Sequence, residues 1–95
     1  MKKLLTLIAF VGMAKACWVG YVYGLNPYGD NFLAVRTGPS TSYRQVDALH
    51  NGDRVFVCNR VRSWFRVFYG RDCYLRDGYP VGDCYSGWVF SRYVD

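Results

Sequence analysis

Leu33-Ala34-Val35-Arg36-Thr37-Gly38-Pro39-Ser40-Thr41-Ser42-Tyr43 is the stretch whose reading decides the fold. Phe32 to Arg36 reads as a short strand, with Leu33 and Val35 on one face. Gly38-Pro39-Ser40 then opens an irregular loop that runs to about Asp47, because proline has no N–H for a strand ladder and glycine favours turns. The same texture extends outward on both sides. After residue 16 no helical period is sustained, and β-branched and aromatic residues fall in short runs punctuated by glycine, proline, asparagine and aspartate. Further strands are expected at Trp18 to Tyr23, Arg54 to Cys58, Trp64 to Tyr69 and Trp88 to Phe90, with a closing segment near Tyr93. Asn26-Pro27-Tyr28-Gly29-Asp30 and His50-Asn51-Gly52-Asp53 are turns. The chain is all-β.

The quoted eleven residues resemble the L-x-V-R-[ST]-G-P-[SG]-[ST]-x-[YF] signature of bacterial SH3 (Src homology 3) domains. The rest of that family's order follows: Leu49 before Asn51-Gly52-Asp53, Arg54-Val55-Phe56-Val57, Trp64-Phe65-Arg66-Val67, Gly87-Trp88-Val89 and Ser91-Arg92-Tyr93-Val94. The resemblance spans about residues 19–94. It implies a small SH3-like barrel of about five strands that binds without catalysing. It further implies a ligand from the cell envelope, peptidoglycan or its peptide stems, in a groove near Tyr43 and Tyr93. Two departures stand out. Ala34 occupies a position where asparagine is common, and the connection Gly70 to Gly87, normally a tight turn, is a long insertion holding Asp72-Cys73-Tyr74 and Asp83-Cys84-Tyr85. That insertion reads as the longest connection of the chain, with three Asp-bearing turns.

Alternation puts Val55 and Val57, Phe65 and Val67, and Val89 on the core face, with Leu33, Val35, Val46, Leu49 and Val94 completing it. Four cysteines, Cys17, Cys58, Cys73 and Cys84, lack any C-x-x-C pair, which favours two disulfides over zinc. Cys58 ends one strand, while Cys73 and Cys84 lie past the far end of the next. Six residues at about 3.3 Å separate those ends by roughly 17 to 20 Å, beyond disulfide reach. The expected pairs are therefore Cys17 with Cys58 and Cys73 with Cys84, the second stapling the insertion.

Residues 1–16 read as a cleaved signal peptide: Met1-Lys2-Lys3, an apolar run from Leu4 to Met13, and the small-x-small site Ala14-Lys15-Ala16. The run is too short for a membrane span. Residues 17–95 then form the domain, secreted or periplasmic. Lipoprotein anchoring at Cys17 is the lesser alternative, since Ala14 stands where a leucine is usual. All three lysines lie in the leader, so the remaining 79 residues hold nine arginines against seven aspartates, a net charge of +2. That near balance argues against a nucleic-acid partner.

Catalysis needs a base, a nucleophile or a metal, and residues 17–95 offer one histidine and no glutamate. His50 sits in a turn, and Asp72, Asp77 and Asp83 lack the alternate-residue spacing of a calcium loop. No enzyme activity, cofactor or metal is expected. Binding is better supported, because seventeen aromatics exceed what one small core buries. Phe56, Trp64, Arg66, Phe68 and Trp88 should project from the face opposite the core. The candidate ligand-binding residues are Tyr43, Trp64, Arg66, Trp88 and Tyr93. Two alternatives stay open: Trp18, Tyr21 and Tyr23 could fold over that outer face, and the stapled loop could present Tyr74, Leu75, Tyr79 and Pro80 to a partner protein in the envelope. Arg36 is expected to brace its loop through Asp47 or a carbonyl.

Overall fold

The computed structural model describes residues 16–95, so the signal-peptide reading, except for Ala16, lies outside the described residues. Six strands follow in order: β1 (Trp18–Tyr21), β2 (Leu33–Arg36), β3 (Gln45–Leu49), β4 (Arg54–Val61), β5 (Trp64–Arg76) and β6 (Tyr79–Phe90), then a 3-10 turn at Ser91–Tyr93. They form one antiparallel sheet in the order β1-β4-β5-β6-β2-β3, curled into a half-barrel of SH3-like type. The C-terminus returns to β1: Tyr21 and Asp95 exchange backbone hydrogen bonds at 2.9 and 3.0 Å, and Val22 bridges Val94.

The core is a valine-rich cluster. Val22, Leu33, Val35, Leu49, Val55, Val57, Val67, Val89 and Val94 are all buried in it, joined by Leu25 and by Tyr69. Alternation along β2, β4, β5 and β6 places Leu33, Val35, Val55, Val57, Val67, Tyr69 and Val89 there, and each such aliphatic side chain contributes roughly 1.5–3 kcal/mol. Two expected members behave differently. Val46 is exposed, because on the edge strand β3 only Leu49 is buried, and Phe65 is half-buried at the rim of the cluster.

Three further expectations are corrected. Gln45 to Leu49 is a strand rather than loop, paired with β2 across a bulge at Val35/Arg36. The strand expected at Trp18 to Tyr23 ends at Tyr21. The Gly70 to Gly87 insertion is not a connection of three turns: β5 and β6 continue through it as a paired ribbon from Asp72↔Asp83 to Arg76↔Tyr79. Asp77 and Gly78 close it, with φ of 52° and 84°. Two successive positive φ values are what a two-residue hairpin turn matching strand twist requires, and Asp-Gly meets that demand.

The ribbon bends at the irregularity between Tyr69 and Asp72 and comes back over the sheet. Its tip reaches the N-terminal end of β1, where Cys17 N–H donates to Gly78 O at 2.8 Å. Phe56, expected to face outward, is only 4% exposed, and Cys73 only 1%. Both are buried outside the valine cluster. The Arg54 guanidinium lies 5.1 Å from the Phe56 ring, and Trp18, Tyr21 and Tyr23 do not cover it. Tyr21 and Tyr23 are exposed, and Trp18 packs edge-on against Phe65, with ring centroids 5.6 Å apart. The disulfides join Cys17 to Cys58 and Cys73 to Cys84.

Candidate binding groove

On the outer face, strand register sets Val61 beside Trp64 and Trp64 beside Phe90, and likewise Arg66 beside Trp88 and Trp88 beside Arg36. Trp64 and Phe90 meet edge-on at 5.6 Å between centroids, and Phe90 lies 6.2 Å from Tyr93 on the closing turn. These three rings form one wall of a groove of about 510 Å³. Asp30, Phe32, Leu33, Ala34 and Arg36, before and along β2, complete the lining with a lip of Ser40, Thr41 and Gln45 from the segment that follows.

The lip is held by the loop that begins at Gly38. Arg36 Nη1 donates to Tyr43 O at 2.9 Å and to Thr41 O at 3.3 Å, so the brace runs through carbonyls and not through Asp47. Thr37 N–H donates to Arg44 O, and the Ser40 and Ser42 hydroxyls are 2.6 Å apart. A Cβ at Gly38 would lie 2.5 Å from the Tyr43 ring, so glycine is what lets that ring fold over the loop.

Of the five candidate residues, Trp64 and Tyr93 line the groove together. Trp88 and Arg66 share its face but stand one register step away, and the exposed Arg66 guanidinium lies 5.1 Å from the Phe68 ring. Tyr43 is outside the lining and packs over Gly38. Phe90, Phe32, Asp30, Thr41 and Gln45 were not anticipated. Phe90 shares the alternation of Trp88 and could have been read from it, whereas Phe32 and Asp30 depend on the course of the chain before β2.

Elsewhere, Asp47 has another partner. It accepts the Tyr69 hydroxyl at 2.6 Å. Burial first, then this hydrogen bond and the carboxylate charge, push the Tyr69 phenol well above its ordinary range. His50 is exposed, 4.0 Å from Asp53, whose carboxylate also accepts the His50 backbone N–H. Cys58 is in a disulfide and offers His50 no thiol. Of the four ribbon residues considered for presentation to a partner, Tyr74 and Tyr79 are exposed, but Leu75 and Pro80 are half-buried.

A model of the bacterial SH3 domain family matches residues 31–95. The chain belongs to the bacterial SH3 domain family. The match runs from just before β2 to the C-terminus, so it takes in every groove-lining residue except Asp30 and leaves β1 and Cys17 before it. No curated protein and no solved structure gives a significant match. In bacterial SH3 terms the groove here lies between the signature loop and the strand carrying Trp64.

Proposed function

We propose that this bacterial SH3 domain is an exported, non-catalytic binding module that recognises cell-wall material, peptidoglycan or its peptide stems, in the groove of Trp64, Phe90 and Tyr93. The observation that carries this reading is the groove itself, which is lined by an aromatic wall together with hydroxyl and amide side chains beside the family's signature loop. Aromatic faces stack on sugar rings and aliphatic peptide stems, while Ser40, Thr41 and Gln45 offer hydrogen bonds to amides and hydroxyls. Export is supported by the leader-like residues 1–16 and by two disulfides, which persist in oxidising compartments. A Cys17 sulfur held in a disulfide leaves no thiol for acylation, which weighs against lipid anchoring.

Co-sedimentation with purified sacculi tests the reading. The parent chain should pellet with them, and Trp64→Ala should weaken binding about tenfold, the loss of one stacked ring. Equal sedimentation of parent and variant, or none by the parent, would refute the assignment.

A further inference from the structure

We propose that the pole of the barrel from which the leader departs is a membrane-docking surface for anionic phospholipid. The surface is assembled from three parts of the chain that the fold brings together: Trp18 of β1, Arg60, Val61 and Arg62 at the β4–β5 turn, and Arg76 and Tyr79 at the ribbon tip. The Cys17–Cys58 disulfide ties the first to the second, and the hydrogen bond from Cys17 N–H to Gly78 O ties the first to the third.

Its chemistry is that of an interfacial patch. Trp18, Val61 and Tyr79 are 43%, 43% and 46% exposed, and the three arginines are exposed with them. The Arg60 guanidinium lies 5.7 Å from the Phe65 ring, against which Trp18 also packs, and Arg60 Nε donates to Arg62 O at 2.7 Å. Arg76 lies over Tyr74 at 6.0 Å. These contacts hold the arginine stems on rings and leave charge for headgroup phosphates. Tryptophan and tyrosine favour the same layer of a bilayer. Residues 54–71 hold five arginines and no acid, and among the described residues no arginine lies within 4.0 Å of a carboxylate. The three elements carry one acid, Asp77 beside Gly78, which leaves an excess of positive charge.

The leader selects a membrane as the occupant. Ala16, where the leader joins, lines an open cleft of about 630 Å³ with Trp18, Arg60 and Phe65. While Lys2, Lys3 and the apolar run Leu4 to Met13 engage the bilayer, this pole is the part of the domain facing it. Cleavage after Ala16 would add the Cys17 ammonium to the same surface. The inference rests on reading residues 1–16 as an export leader and is independent of the groove. The mass of the exported chain checks the leader separately.

The test uses the exported chain, starting at Cys17 with both disulfides formed, and vesicles of phosphatidylcholine alone or with one quarter phosphatidylglycerol. Sedimentation with the anionic vesicles only, lost at 0.5 M salt, is expected. Arg60→Ala with Arg62→Ala should lower partitioning roughly 30-fold, since each arginine near an anionic surface contributes about fivefold. Arg54→Ala with Arg71→Ala removes equal charge at the opposite end of β4 and should leave partitioning within about threefold. Matched thermal melts exclude unfolding as the cause. Equal binding to both vesicle types, equal losses in the two double variants, or displacement by millimolar inorganic phosphate would overturn the proposal.

Discussion

Tyr69 joins the core to the sheet edge: its ring is buried, and its hydroxyl reaches Asp47 on β3. Tyr69→Phe keeps the ring and removes the hydrogen bond, which should cost about 1 kcal/mol, since Asp47 can be rehydrated where it stands. The phenol adds a pH dependence. An unfolded chain loses the Tyr69 proton near pH 10, and the folded chain holds it to higher pH. The stabilisation is whole below about pH 10 and is lost as pH rises toward the folded value. Urea midpoints at pH 8 and pH 11 should therefore show the gap between parent and Tyr69→Phe narrowing at the higher pH. Tyr69 also marks a boundary of what residues announce. Alternation identifies Val55, Val67 and Val89 as core because each apolar side chain has one favourable face, but a tyrosine on that face could equally have ended in solvent. Asp47 became its partner only once β3 was a strand.

At the scale of elements, β2 was legible and β3 was not. Leu33 and Val35 point inward from β2 and the chain then breaks at Gly38-Pro39, whereas β3 has only Leu49 buried and presents no alternation to read. The ribbon was missed for a different reason. Its turn signal, Asp77-Gly78, is strong, but it is flanked by charged residues and by Pro80, so the strands around it look like loop. Its return to Cys17 depends on contacts between residues far apart in sequence. The Cys73–Cys84 disulfide spans 11 residues within the ribbon, and opening it by Cys73→Ala with Cys84→Ala should cost about 3 kcal/mol. The loss should be local. Hydrogen exchange is expected to show ribbon amides, Tyr74 to Val81, losing protection while Val55 and Val67 keep theirs. Uniform loss across the sheet would mean that the ribbon and barrel unfold together.

For the whole molecule, the aromatic excess read from composition is seen at the surface: Tyr21, Tyr23, Tyr28, Tyr43, Tyr74, Tyr79 and Tyr85 are exposed, and Trp64 and Tyr93 line the groove. The domain depends on oxidation. A core of small valines gives a narrow margin at this size, and the Cys17–Cys58 loop of 41 residues adds about 4 kcal/mol to the contribution of the ribbon staple. Together these rival the total stability usual for a small domain. Full reduction should lower the melting temperature by more than roughly 20 °C, measured by near-ultraviolet circular dichroism with and without a thiol reductant.

The positions of the two disulfides also decide how the domain would carry tension. A pull between Cys17 and the C-terminus passes through the sulfur bridge directly to Cys58, runs along the end of β4 and into β5, and crosses from Cys73 to Cys84 before leaving through β6. Residues 18–57, with β1, β2 and β3, lie off that path, as does the ribbon tip. The signature loop that forms one lip of the groove would stay slack, whereas Trp64, Phe90 and Tyr93 lie on the loaded strands and the closing turn, so tension that shears β5 against β6 would pull the aromatic wall apart and release a ligand.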